Sequence, residues 1–132
     1  MKKIGLLLLI CLPLLLAQTV VYTNAAVVAW DAVTKLADGS PVPTGDAISY
    51  EVLRAPAGNK ASAVVVGETP QLQFAVTFPS EGDWVVGVRA VRTTGTERLM
   101  SDINWSDVGG TPNPFVLRYY RGPAVPGNLR LQ

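Results

Sequence analysis

The chain has 132 residues, 11 Lys and Arg against 10 Asp and Glu, a net charge of +1, one Cys and no His. That length suits one domain. With no His and no pair of Cys, the usual zinc and haem ligand sets and the Ser-His and Cys-His nucleophiles are excluded, so no cofactor is expected. A charge this close to zero provides no basic field to hold nucleic acid.

Residues 1–25 read as a secretory signal peptide. Lys2 and Lys3 form a positive start, and residues 4–16 are apolar apart from Gly5 and Pro13. Thr23 and Ala25 are the small residues expected before a cut after Ala25. A cut after Ala17 is the weaker option, because Leu15 would stand three residues before it. The competing reading is an uncleaved anchor, since the apolar run approaches the ~18 residues needed to span a bilayer; the chain would then touch a membrane through this segment alone. Cys11 does not read as a lipidation site, because bulky Ile10 precedes it and the apolar run continues past it. Without residues 1–25 the chain has 107 residues, nine basic against ten acidic, and no Cys. It is expected to be secreted, periplasmic or displayed on the cell surface, where small domains often use disulfides. This one must rely on its apolar core, which is feasible at that length.

The remainder alternates apolar and polar residues and is rich in β-branched side chains, so strands are expected throughout. The first is predicted over residues 26–32, followed by a loop punctuated by Gly39, Pro41, Pro43 and Gly45. The next, over 47–54, puts Ile48, Tyr50 and Val52 on one face. A turn at 57–60 leads to short strands at 62–67 and 71–78. The strongest pattern, at 84–92, aligns Trp84, Val86, Val88 and Ala90. Gly95 turns the chain into a strand predicted over 100–108, and FVLRYY at 115–120 is the last. About seven antiparallel strands with turns every 8–12 residues is an all-β, immunoglobulin-like sandwich pattern.

VVAWDA, ISYEVLRA, FPSEGDWVVGVRAV and SDINWSDV together resemble a fibronectin type III domain over residues 26–108. The resemblance implies a fibronectin type III β-sandwich spanning 26–121, with Trp30 and Tyr50 in the core and Trp84 where the family has its corner Tyr. An indole N–H donates from a different position than a phenol, so the corner hydrogen bond is in question. Single exported domains of this kind are similar to ones found in bacteria and their phages. The family's first strand has no counterpart ahead of Trp30, whereas the Pro-rich tail, residues 122–132, contains Pro126-Gly127-Asn128-Leu129, which resembles that missing opening. Asn128 to Gln132 alternates polar and apolar, with Leu129 and Leu131 on one side. The tail is therefore expected to fray or to pair with the vacant edge in the same molecule or a neighbour.

Candidate contact residues are Arg118, Tyr119, Tyr120 and Arg121 on the last strand, and Trp105 in NWSD, since exposed Tyr, Trp and Arg favour interfaces. The competing reading is an edge strand with one core aromatic and a solvated Arg, and a Trp that caps the sandwich. Asp31, Asp38, Asp46, Asp83, Asp102 and Asp107 fall mostly in turns, and no spacing selects an acid/base pair. Asp38-Gly39-Ser40 is too short for a calcium loop. Catalysis is not expected. The expected role is an exported binding or adhesion module for a protein or carbohydrate, contacting it through its loops or the 115–121 strand; the alternative is a structural subunit that self-associates through its tail.

Overall fold

The structure, a computed structural model, describes residues 19–109 and 114–132. Its strands in chain order are β1 (Thr19–Tyr22), β2 (Ala25–Ala29), β3 (Ala47–Pro56), β4 (Val64–Thr69), β5 (Gln73–Thr77), β6 (Gly82–Thr94), β7 (Glu97–Met100), β8 (Asn104–Trp105) and β9 (Phe115–Tyr119). One 3-10 turn, Lys60–Ser62, precedes β4, and a four-residue helix, α1 (Ser106–Gly109), follows β8. The larger sheet runs β1-β9-β6-β3-β4, and β2 pairs with β5 in a second, two-stranded sheet.

β3 and β6 form the centre of the large sheet, in unbroken antiparallel register from Ala47↔Thr93 to Pro56↔Trp84. The alternation read in the sequence sets their faces. Val52, Trp84, Val86 and Leu117 point inward and meet Val28 of β2 and Val76 of β5 in one buried cluster, with Trp30, Phe74 and Val88 packed against it. The opposite face carries a smaller cluster, Ala55, Val85 and Val116, covered by Ala57, Ala63 and Trp105. Gly87 is needed there: a Cβ on it would lie 2.5 Å from the Ile103 Cγ2 and 2.8 Å from the Trp105 ring.

The corner at the start of β6 is closed by an indole bonded to the main chain upstream. Trp84 Nε1–H donates to the Ser80 carbonyl at 3.0 Å, and the ring stacks on Phe78 at 5.7 Å.

Two expectations are corrected. The strand predicted over 100–108 is instead the end of a hairpin, the two-residue β8 and a helical turn. Backbone pairing on that side of β6 is patched by side chains: Ala90 N–H donates to Ser101 Oγ at 2.9 Å and Val86 N–H to Ser106 Oγ at 3.1 Å. Such substitutions keep buried amides satisfied where the neighbouring strand is interrupted. The stretch before residue 26 contributes β1, which pairs in parallel with β9 from Thr19↔Phe115 to Tyr22↔Arg118. The sheet is thus not wholly antiparallel, and β9 is not an edge strand, since it lies between β1 and β6. The tail forms no strand within its own molecule among the described residues: 120–132 is exposed throughout, with Asn128 bent at φ 53.

Candidate functional site

Two strands cannot cover a sheet five strands wide, and β2 has no partner on the side away from β5 among the described residues. An apolar recess of about 650 Å³ opens there. Val86 and Val88 of β6 form its floor; Val28 and Trp30, Tyr50 and Phe115 supply its walls. A further hollow of about 370 Å³, sharing Leu36 and Ala90 with the first, carries it on to Ile48, Leu99 and Met100.

Local contacts hold the recess open. The Tyr50 hydroxyl accepts the Val33 N–H at 2.9 Å, which pins the loop after β2 against the large sheet. The Trp30 and Tyr50 rings lie 5.5 Å apart and tilted at 54°, an edge-on arrangement that aromatic pairs favour. The Trp30 main-chain N–H continues the β2–β5 pairing by donating to the Leu72 carbonyl at 3.0 Å. Its indole Nε1–H is shielded from solvent and has no acceptor among the described residues. A buried donor left unmet costs about 1–3 kcal/mol. Asp31, Lys35 and Asp102 also line the recess, so its rim carries charge of both signs.

The outer face of the large sheet is different in kind. Arg89 reaches Glu51 Oε2 at 2.5 Å, and Arg98 bridges Glu51 Oε1 at 2.7 Å and Glu68 Oε2 at 2.6 Å, with Ser49 Oγ also donating to Glu68 at 2.6 Å. Hydrogen bonds from Arg98, then from Ser49, hold the Glu68 carboxyl down at about 2. Those from Arg89 lower Glu51, outweighing the effect of its burial. A general acid needs a raised pKa, and this lattice lowers both of its carboxylates. Among the described residues no group of three or more His, Cys, Asp and Glu is arranged to hold a metal ion.

The residues singled out from the sequence do not form one site. Trp105 is half-buried on the outer face, over Gly87, with Lys60 Nζ 5.7 Å from its ring centre. It caps the smaller cluster and also borders the recess. Arg118 faces outward but is held by Asp83, with Nε to Oδ1 at 2.7 Å, which lowers the Asp83 pKa; its guanidinium also lies 5.7 Å from the ring of exposed Tyr22. Tyr119 turns inward against the main core, and its hydroxyl accepts from Arg121 at 3.0 Å. Tyr120 is exposed, as are Arg121, Leu129 and Leu131. Trp30, Tyr50 and Trp84 lie in or against the core. What the sequence reading missed is that Trp30 and Tyr50, placed as core residues, also border an open recess with Phe115. No local pattern signals this, because the recess comes from how many strands each sheet contains.

No protein-family model, curated protein or solved structure matches this chain. Among the described residues no helix is long and apolar enough to cross a membrane.

Proposed function

We propose that the chain is an exported, non-catalytic binding module built on a fibronectin type III-like sandwich, and that the recess beside β2 is its contact site. One observation carries this reading: an apolar hollow walled by the aromatic side chains of Trp30, Tyr50 and Phe115 lies along a strand edge with no partner among the described residues. Such an edge offers main-chain hydrogen bonds to an extended chain while the hollow takes up its side chains. The family reading is supported by the aromatic corner at the start of β6 and by the Trp30–Tyr50 contact between the sheets. Export is supported by Lys2, Lys3 and the apolar run behind them. β1 favours the cut after Ala17 over that after Ala25, because the later cut would remove a strand hydrogen-bonded along β9.

The ligand class favoured is an extended polypeptide; a carbohydrate is the second, since Trp and Tyr walls also suit sugar rings. The test is to screen the exported, isotope-labelled chain against arrays of extended peptides and of glycans, then follow each binder by the Trp30 indole resonance. Binders that shift this resonance are expected. Binders that shift only Tyr22, Arg118 and Tyr120 would move the site to the outer face of β9 and overturn the assignment.

A further inference from the structure

We infer that the occupant of the recess is the C-terminal segment of a second copy of this chain, residues 124–132 laid along β2. This rests on the recess being the contact site. The tail is apolar yet fully solvated: Val125 is 91 %, Leu129 99 % and Leu131 100 % exposed. Large aliphatic side chains left this bare in alternation are suited to burial on one side of an added strand. Asn128 to Gln132, once Asn128 leaves its left-handed bend, spans about 17 Å at ~3.3 Å per residue. The recess floor from Val86 to Ala90 covers the same number of strand residues.

A second copy is assigned as the occupant because in its own molecule the tail, residues 120–132, stays exposed and forms no strand, although β9 ends beside the start of β2, where the Arg118 carbonyl accepts the Thr23 N–H at 3.0 Å. Each chain then gives one tail and accepts one tail, a head-to-tail contact that closes into rings or continues as filaments.

The experiment uses the exported chain, a variant ending at Gly122, and a Leu129→Glu/Leu131→Glu variant. Mass is measured by light scattering after size exclusion over about a hundredfold concentration range. The synthetic peptide of residues 124–132 is then added to the shortened variant while the Trp30 indole resonance is followed. The intact chain is expected to exceed one protomer in mass increasingly with concentration, and both variants to stay monomeric with unchanged thermal stability. The peptide is expected to shift the Trp30 resonance saturably. A monomeric intact chain at every concentration would overturn the inference. So would a shortened variant that loses thermal stability without any change in mass, which would put the tail in its own recess. If the array peptides shift Trp30 while the tail peptide does not, the recess remains a binding site and only its assignment to the tail falls. If neither does, both fall.

Discussion

Replacing Trp84 by Phe removes the corner donor while retaining an aromatic ring against Phe78. Trp84 is 9 % exposed and its Nε1–H donates to the Ser80 carbonyl at 3.0 Å. A net hydrogen bond contributes about 1 kcal/mol, and Ser80 is exposed, so water can take over its carbonyl and limit the loss to that order. Full truncation of a buried Trp costs about 3–5 kcal/mol; Phe keeps most of that packing and forfeits roughly 1 kcal/mol of it. The expected total is about 2 kcal/mol, a fall in Tm of about 10 °C for a domain of this size. Urea unfolding followed by far-UV circular dichroism checks it: the midpoint should fall with an unchanged slope. Trp30→Phe is the control. In the monomer its indole N–H has no acceptor among the described residues, so no hydrogen bond is lost there. Equal losses for the two variants, or a Trp84→Phe loss below about 0.5 kcal/mol, would refute the corner bond as a stabilising contact.

Three further outcomes follow from the same structure. The Glu68 carboxyl, normally near 4.5, is held at about 2 in the folded chain, so the stability it contributes is complete above the normal value and disappears as pH falls to about 2. Glu68 is about a third exposed, so the effect stays below about 1 kcal/mol, and Arg98→Gln should flatten the decline of Tm between those pH values. Gly87→Val should destabilise by about 1–3 kcal/mol, because its side chain meets Ile103 and Trp105, and should red-shift the tryptophan emission as Trp105 is unseated; an unshifted spectrum would argue against that cap. If residues 1–17 are removed on export as proposed, mass spectrometry should give a form that begins at Gln18 and retains β1; one that begins at Ala26 would place the cut inside β2, after its first residue.

Much of the large sheet could be read directly. In β3 and β6, Tyr50, Val52, Trp84 and Val86 fall on the face that a period of two assigns to the core. The errors share a physical origin. TVVY at Thr19–Tyr22 directly follows an apolar leader and reads as its end; only its pairing with Phe115–Arg118, far along the chain, makes it a strand. The same pairing converts β9 from an apparent edge to an interior strand. SDVG is too short to show a helical period, so the strand predicted over 100–108 ran straight through it. Trp30 and Tyr50 were legible as core aromatics because burial follows local pattern. The recess they border was not, because it is set by the absence of a neighbour for β2 among the described residues and by no residue near either of them in sequence.

Residue-resolved hydrogen exchange along β2 addresses that open edge most directly. In the dilute monomer, amides of Ala25–Ala29 that face β5 should be protected while the alternate ones exchange within the dead time, and these alternate amides should become protected at concentrations where the chain associates. Uniform protection of all five amides in the dilute monomer would mean that the edge is already paired and would contradict a recess open to a partner.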